Sequence, residues 1–170
     1  MIVVVMGVSG SGKSVVGRAL ADDLGWPFLD ADDLHSPANV AKMASGTPLT
    51  DADRWPWLDT LAAKVREVSA AGGDVVLACS ALRAAYRDRI AAGARHPNEV
   101  RFVHLKGDRA TIAARLAPRQ HRYMPATLLD SQFATLEEPA DALVVDVRLT
   151  LPEQVAQIRA ALGRGHKDCA

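Results

Sequence analysis

The stretch Gly7-Val-Ser-Gly-Ser-Gly-Lys-Ser14 constrains this chain more than any other. It fits the pattern G-x-x-x-x-G-K-[ST] and follows an apolar, β-branched run at residues 2–5, as a phosphate-binding loop follows a buried parallel strand. Glycines permit backbone angles closed to other residues, so successive N–H groups can converge on a phosphate at the start of the next helix. The lysine adds a positive charge and the last serine a hydroxyl for Mg²⁺. The predicted nucleotide-binding residues here are Gly7, Val8, Ser9, Gly10, Ser11, Gly12, Lys13, Ser14 and Val15.

Two other interpretations of this stretch are weaker. The dinucleotide fingerprint G-x-G-x-x-G fails, because Val15 stands where a third glycine is required after Gly10 and Gly12. Asp30 could be that motif's ribose-binding acid, but the Lys-Ser pair would then have no role. A plain Gly/Ser turn would leave the strand pattern before the loop and the amphipathic pattern after it unexplained.

Composition predicts one folded domain over residues 1–170, with 49% hydrophobic residues to form its core. Twenty basic and twenty acidic residues leave a formal charge of zero, which argues against nucleic acid or an anionic membrane as a partner. The two cysteines, Cys79 and Cys169, do not suggest a disulfide framework and fit a reducing compartment. We expect a cytoplasmic protein, since no signal-peptide pattern and no apolar stretch near eighteen residues is present.

Apolar runs alternate with helical patterns along the chain. The runs lie at residues 2–5, 26–30, 75–79, 100–105 and 143–147, and the further helical patterns at about 56–71, 82–92, 109–117, 126–136 and 152–162. Strands that alternate with helices predict a doubly wound, five-stranded parallel sheet with helices on both faces, a three-layer α/β fold. Ligands of such sheets gather at the carboxyl ends of the strands, so the residues after each strand carry the functional information.

Three carboxylates follow the second predicted strand, at Asp30, Asp32 and Asp33. Strand-end acids beside a phosphate loop can serve Mg²⁺ and a nucleophile. The third strand ends in Cys79-Ser80 without the acid that many phosphate-loop ATPases place there, so Asp30 is the candidate carboxylate for the metal. The alternative is helix capping, with Asp32 or Asp33 as the cap of a turn near residue 34.

Residues 35–58 are too polar and too interrupted for a core element. We expect Pro56 to open a helix at its first position, which would leave Arg54 on the preceding loop with a free guanidinium. The alternative for Arg54 is a surface ion pair with Asp51 or Asp53.

A basic segment follows the fourth strand, and we expect a lid at about residues 116–127. Arg115 and Arg119 lie one helical turn apart, and His121 and Arg122 follow between two prolines. Basic residues at a helix C-terminus often only complement the helix dipole. Several together in a proline-bracketed connection favour a lid that covers a triphosphate and excludes water.

Taken together, these motifs resemble the gluconate kinases of the P-loop shikimate and nucleoside monophosphate kinase group. The matching stretches cover nearly the whole chain: Met-Gly-Val-Ser-Gly-Ser-Gly-Lys-Ser14, Leu29-Asp-x-Asp32, His35 with Asn39, Lys42-Met-Ala-Ser-Gly46-x-Pro-Leu, Asp51-x-Asp-Arg54-x-Pro-Trp57-Leu, Cys79-Ser-Ala-Leu82, Tyr86-Arg-Asp88, Leu105-Lys-Gly-Asp108, Arg115-Leu116 and Gln132-Phe-x-Thr-Leu-Glu137 with Pro139 and Val144-Val-Asp146. Arg83 departs from the lysine expected in relatives, and the segment 118–125 is less similar to the family.

The resemblance implies transfer of the ATP γ-phosphate to the 6-hydroxyl of D-gluconate, with Mg²⁺, by a homodimer that supplies the pentose phosphate or Entner–Doudoroff routes. It implies catalytic roles for Lys13, for Asp32 as general base and for Arg122 from the lid, and a metal site of Ser14 with Asp30 acting through a water. Arg115 and Arg119 would contact the nucleotide. The implied substrate-binding residues, in a segment at about 32–58 and beyond it, are Asp32, His35, Asn39, Arg54, Ser80, Arg83 and Gln132.

Two other functions remain open from the sequence. A shikimate or nucleoside monophosphate kinase would share the phosphate loop, the lid and Asp32, but not residues 35–58. An ATP-binding regulatory module with weak hydrolysis is the alternative outside the small-molecule kinases.

Overall fold

The structure is a computed structural model, and it describes residues 1–117 and 126–164. Its elements follow the order β1 (Ile2–Met6), α1 (Lys13–Leu24), β2 (Phe28–Asp30), a 3₁₀ turn (Ala31–Leu34), α2 (Pro37–Ala44), α3 (Asp51–Ala70), β3 (Val75–Ala78), α4 (Ala84–Ala91), a 3₁₀ turn (Pro97–Glu99), β4 (Val100–Lys106), α5 (Arg109–Leu116), α6 (Ala126–Thr135), β5 (Leu143–Asp146) and α7 (Leu151–Arg164).

The five strands form one parallel sheet in the order β2-β3-β1-β4-β5. The predicted three-layer α/β fold is therefore confirmed. The connection after β1 leads to β2, whereas the connection after β3 leads to β4, which lies on the opposite side of β1 in the strand order. A crevice opens where such connections diverge, which places the loops after β1 and β3 at the ligand-binding edge.

The neighbouring strands β1 and β3 are buried on both faces because they are apolar throughout. In β1, Ile2, Val4 and Met6 pack into the core that α3 and α4 cover, whereas Val3 and Val5 pack into the core on the side of α1 and α7. This division follows the two-residue side-chain period of a strand. The first strand lies in the centre of the sheet and carries the phosphate loop on a rigid base.

Local signals begin and end the helices that flank the site. α1 ends at Gly25, which has φ 68° and donates its N–H to the carbonyl groups of Ala21 and Asp22. Ser36 caps α2 by accepting a hydrogen bond from the backbone N–H of Asn39.

The expected start of α3 was wrong. The helix begins at Asp51 rather than at Pro56, because Thr50 and Asp53 form a reciprocal capping box at its start. Pro56 lies inside the helix, and Arg54 belongs to its first turn rather than to a loop. Residues 35–58 also hold more structure than expected, since they include α2 and the buried side chains of Trp57 and Leu58.

Candidate active site

The phosphate loop has the backbone geometry that its glycines predict. Gly7, Gly10 and Gly12 have φ angles of 146°, 81° and 100°. A Cβ atom at Gly7 would lie 2.8 Å from the Ser11 hydroxyl oxygen and 2.9 Å from the Leu105 carbonyl oxygen, so a side chain there would break the loop. The loop is therefore shaped by backbone packing, with α1 beginning directly behind it.

Lys13 and Ser11 supply polar groups that protein atoms do not satisfy fully. The Lys13 amine donates to the Val8 carbonyl oxygen at 3.2 Å. Burial lowers the pKa of this amine, while the carboxylates of Asp32 and Asp30 act in the opposite direction. The Ser11 hydroxyl is buried and has no hydrogen-bond partner among the described residues. A loop with a buried amine and an orphaned hydroxyl fits an anionic ligand.

Asp30 and Asp32 have different surroundings at the end of β2. Asp30 accepts a hydrogen bond from the backbone N–H of Asp32 at 3.1 Å and so caps the 3₁₀ turn. The capping residue is thus Asp30, not Asp32 or Asp33 as the alternative from the sequence had it. Asp32 keeps a side chain that is 71% exposed, so its carboxylate is free to face a ligand.

His35 is buried beside these acids. Its ring stacks on Trp57 with centroids 4.3 Å apart, and Trp57 in turn donates its indole N–H to the Ala31 carbonyl oxygen at 2.7 Å. Burial lowers the pKa of His35; Arg54 lowers it further and Asp32 opposes both. The Nδ1 atom is buried without a hydrogen-bond partner among the described residues. His35 is therefore neutral at pH 7 and retains an unused polar atom.

Arg54 lines the same cleft. Its guanidinium donates to the Tyr86 hydroxyl at 3.3 Å and lies 3.7 Å from an oxygen of Asp51. The Asp51 alternative from the sequence is thus present, although Arg54 is a half-buried cleft residue and not a surface one. Asp53 pairs instead with Lys42 at 2.7 Å. The hydrogen bonds from Lys42 and from Thr50 lower the pKa of Asp53 to about 2.

A buried arginine shapes the loop after β3. Ala81 has a positive φ of 44°, which is unusual for a residue with a side chain. The Arg87 guanidinium donates to the carbonyl oxygens of Ala81, Leu82 and Glu137 at 3.1, 3.3 and 3.0 Å. These contacts hold Ser80 at the cleft, where its carbonyl accepts the Gly7 N–H at 3.4 Å.

Gln132 joins α6 to the phosphate loop. Its side-chain oxygen accepts a hydrogen bond from the Ser9 backbone N–H at 2.7 Å. Gln132 therefore already contacts the nucleotide loop as well as the cleft that was expected to bind a substrate.

These elements enclose one polar cleft of about 640 Å³. Most residues predicted for the site line it: Ser9, Gly10, Gly12, Lys13, Ser14, Val15, Asp32, His35, Arg54, Ser80 and Gln132. The predicted residues outside its lining are Gly7, Val8, Ser11, Asp30, Asn39, Arg83 and Arg115. The Asn39 amide donates to the Asp53 carbonyl oxygen at 2.9 Å. Arg115 donates to the Val147 carbonyl oxygen. Arg119, Arg122 and most of the predicted lid lie outside the described residues.

Sequence reasoning missed Tyr86, Trp57 and Met43 as cleft residues. Aromatic and apolar side chains at helical spacing are ordinarily core, and Tyr86 and Trp57 are indeed 3% and 5% exposed. A second depression of about 710 Å³ lies between α1 and α7, and the two charged side chains in its lining, Asp23 and Arg159, pair with each other at 3.3 Å. The polar cleft is the candidate active site.

Comparisons with known proteins identify the family. The family described as an AAA domain matches residues 2–139. A gluconokinase from Gluconobacter oxydans (strain 621H) is 51% identical over 81% of this chain and 76% of its own length. The thermoresistant gluconokinase from Escherichia coli (strain K12) is 42% identical over 96% of this chain and 94% of its own length. This chain belongs to the gluconokinase family.

Solved structures agree with this assignment. A gluconokinase from Sinorhizobium meliloti 1021 matches with a TM-score of 0.85 and 44% identity over 95% of this chain and 91% of that one. A shikimate kinase from Aquifex aeolicus vf5 has a TM-score of 0.59 at 16% identity, over 98% of both chains, and shares the fold. The resemblance of the sequence motifs to gluconokinases is therefore confirmed.

Two further observations bear on what this gluconokinase family member can hold. Within residues 1–117 and 126–164, no group of three His, Cys, Asp or Glu side chains could form a metal cage. Mg²⁺ does not need one, since it is usually bound by one or two protein oxygens together with phosphates and water. In the same residues, no helix is long and apolar enough to span a bilayer.

Proposed function

We propose that this protein is an ATP-dependent gluconokinase, which transfers the γ-phosphoryl group of ATP to the 6-hydroxyl of D-gluconate and forms 6-phospho-D-gluconate and ADP. The observation that carries the proposal is that one cleft is lined both by a phosphate loop and by a half-buried guanidinium, that of Arg54. Membership in the gluconokinase family supports the choice of sugar acid.

The nucleotide end rests on the phosphate loop. Its backbone N–H groups and the Lys13 amine bind the triphosphate, and Val15, which is 51% exposed, lies beside the nucleoside. Arg115 contacts the adenine from α5. The Ser14 hydroxyl, with Asp30 acting through a water, would hold Mg²⁺, and the ion would supply positive charge to neutralise the phosphates. Roles for Arg119 and Arg122 at the phosphates, in the predicted lid at about residues 116–127, remain part of this proposal, since both residues lie outside the described part of the chain.

The transfer needs a base beside the acceptor alcohol. Asp32 accepts the 6-hydroxyl proton as the bond from that oxygen to the γ-phosphorus forms and the bond from phosphorus to the β-γ bridging oxygen breaks. Its exposed carboxylate and its position near Lys13 suit this role. The reaction has a loose transition state, so the protein contributes mainly alignment and charge.

The acceptor extends from Asp32 towards Arg54. His35 lies 3.9 Å from Asp32, and Asp32, His35 and Arg54 line the same cleft, so one small polyol could contact all three. Arg54 binds the carboxylate, since a guanidinium matches that group in charge and geometry. His35, Ser80 and Gln132 contact the hydroxyl groups of the substrate, and Asn39 supports the segment at about 32–58. Arg83 adds positive charge near Arg54, at the part of the cleft that binds the carboxylate, which we call the acid end.

An acceptor screen tests the function. Purified protein is incubated with ATP and Mg²⁺ and with D-gluconate, shikimate, AMP or no acceptor, and ADP release and the phosphorylated product are measured. We expect phosphate on D-gluconate alone. Phosphorylation of shikimate or AMP instead of gluconate would contradict the proposed substrate and indicate a small-molecule kinase with a different acceptor. ADP release without an acceptor would indicate an ATP-hydrolysing module.

Assembly and location extend the same proposal. The family resemblance supports a homodimer, a single domain over residues 1–170 and a cytoplasmic location. Sedimentation equilibrium tests the dimer: a mass near 36 kDa, twice the 18.1 kDa chain, is expected, and a mass of one chain would contradict it.

A further inference from the structure

Asp51 lies at the acid end of the cleft, where the start of α3 meets the start of α4. It is the first residue of α3, and one of its carboxylate oxygens accepts a hydrogen bond from the Arg83 guanidinium at 2.7 Å. The other oxygen accepts the Tyr86 hydroxyl proton. The side chains of Asp51 and Arg83 are 43% and 41% exposed, so their ion pair adds little to stability. Its effect is on the placement of neighbouring groups.

Tyr86 connects this pair to Arg54. The Tyr86 hydroxyl accepts a hydrogen bond from Arg54 while it donates its own proton to Asp51. The guanidinium carbons of Arg54 and Arg83 lie 5.6 and 5.9 Å from the centre of the Tyr86 ring. Burial and the Asp51 contact raise the pKa of Tyr86, which keeps the hydroxyl neutral. Arg54 therefore contacts both Tyr86 and Asp51 while it also lines the cleft.

The charges of this group do not cancel. Arg54 and Arg83 carry two positive charges and Asp51 carries one negative charge, so the three side chains retain one positive charge. The adjacent acid Asp53 does not alter the sum, because Lys42 pairs with it. A ligand with a single carboxylate would balance the group, whereas a neutral ligand would leave a partly desolvated charge unmatched.

We propose that Tyr86 and Asp51 are positioning residues that make this end of the cleft selective for a monocarboxylate: Tyr86 orients the Arg54 guanidinium, and Asp51 fixes Tyr86 and sets the residual charge. This inference rests on the proposed function, in which Arg54 binds the acid group of the substrate. Neither residue touches the transferred phosphoryl group.

Tyr86→Phe tests the orientation of Arg54, since it removes both hydrogen bonds and keeps the ring. D-gluconate is compared with D-glucitol, in which a hydroxymethyl group replaces the carboxylate. We expect the KM for gluconate to rise about 5- to 10-fold, the size of one or two lost hydrogen bonds. The KM for ATP and the kcat/KM for glucitol should change less than 2-fold, so the selectivity for the acid falls. Equal losses for both acceptors would mean a merely structural role and overturn the proposal.

A double-mutant cycle tests whether Tyr86 acts through Arg54. In the Arg54→Ala background, Tyr86→Phe should change the kcat/KM for gluconate less than 2-fold. The same 5- to 10-fold loss in both backgrounds would overturn the proposal. If the unaltered protein does not phosphorylate gluconate, the proposed function fails; if it does and Tyr86→Phe has no effect, only this inference fails.

Asp51→Asn tests the charge balance, with acetate and malonate as competitive inhibitors against gluconate. Loss of the carboxylate leaves two unmatched guanidinium groups, so malonate, a dianion, should gain at least 3-fold in potency relative to acetate. An unchanged ratio of the two inhibition constants would overturn the role of Asp51.

Discussion

The Nε2 atom of His35 lies 3.9 Å from a carboxylate oxygen of Asp32. This separation is too long for a hydrogen bond, so the buried imidazole lies beside the carboxylate without forming a hydrogen bond to it. Within residues 1–117 and 126–164, both oxygens of Asp32 therefore stay available to an acceptor alcohol, beside the stacked and uncharged rings of His35 and Trp57.

Asp32→Asn removes the proposed base and keeps the size of the side chain. We expect kcat for gluconate phosphorylation to fall about 10²- to 10⁴-fold, the usual contribution of a general base. The dissociation constant for ATP should remain within a factor of three, as measured by calorimetry. Asp33→Asn is the matched control, because it makes the same change at the next exposed carboxylate. A larger loss in Asp33→Asn than in Asp32→Asn would assign the base to Asp33.

Lys13→Ala removes the amine of the phosphate loop. We expect kcat to fall by about 10²-fold or more, since this charge acts on the developing charge of the transferred group. Steady-state ADP release with saturating gluconate measures the loss. Lys64→Ala, which removes an exposed lysine that pairs with Glu67 on α3, should leave the rate unaltered. Undiminished turnover in Lys13→Ala would contradict the phosphate-loop assignment.

Arg54→Ala removes the proposed carboxylate ligand. A hydrogen bond to a charged group contributes about 1.5–3 kcal/mol, so the KM for gluconate should rise roughly 10- to 150-fold. The KM for ATP should stay within about 2-fold in the same assay. Arg66→Ala, at an exposed position of the same helix, is the control. An unchanged KM for gluconate would return Arg54 to a purely structural pairing with Asp51.

Histidine burial predicts a loss of stability in mild acid. His104 is 2% exposed, and its Nδ1 atom has no partner among the described residues. Burial lowers the pKa of His104, with Lys106 and Arg87 acting in the same direction and Glu138 against it; the pKa of His35 is also lowered. The unfolded chain takes up these protons near pH 6.5, while the folded protein does not. The free energy of unfolding should thus be greatest above pH 6.5 and fall as the pH is lowered.

Urea unfolding at several values between pH 5 and 8 measures this effect. Asp53 and Asp146, each with a pKa of about 2, titrate below that window and do not disturb it. His104→Gln should flatten the profile, whereas His96→Gln, at an exposed position, should not. A slope that is the same in the unaltered protein and in His104→Gln would contradict the prediction.

Two glycines should respond to alanine in opposite directions. A Cβ atom at Gly93 would lie 2.2 Å from the Ala62 carbonyl oxygen, so Gly93→Ala forces the backbone of α3 aside and should cost about 1–3 kcal/mol. Gly163 lies in α7, and among the described residues no atom outside its own stretch of helix backbone lies within 4 Å of such a Cβ, so Gly163→Ala should add about 0.5–1 kcal/mol. Thermal unfolding measures both, and a stable Gly93→Ala would contradict the packing described.

The nucleotide end of the site could be predicted from sequence because it is local. The loop from Gly7 to Ser14 encodes its own backbone shape in consecutive residues, and the alternation of strands and helices determined which edge of the sheet it would occupy. The motifs spread over the chain likewise determined the family, because each is a short pattern that can be recognised without knowing its tertiary contacts.

Only the tertiary structure decided how the acid end is built. Asp51 and Tyr86 are 35 residues apart, and their hydrogen bond exists because α3 and α4 pack side by side. The sequence also misplaced the start of α3, because Pro56 is the stronger local signal while the Thr50–Asp53 capping box determines the helix. The partners of a side chain on another helix depend on tertiary packing, which no single stretch of sequence contains. From the sequence alone Tyr86 is an ordinary core residue, and only the fold shows that the guanidinium groups of Arg54 and Arg83 lie near its ring.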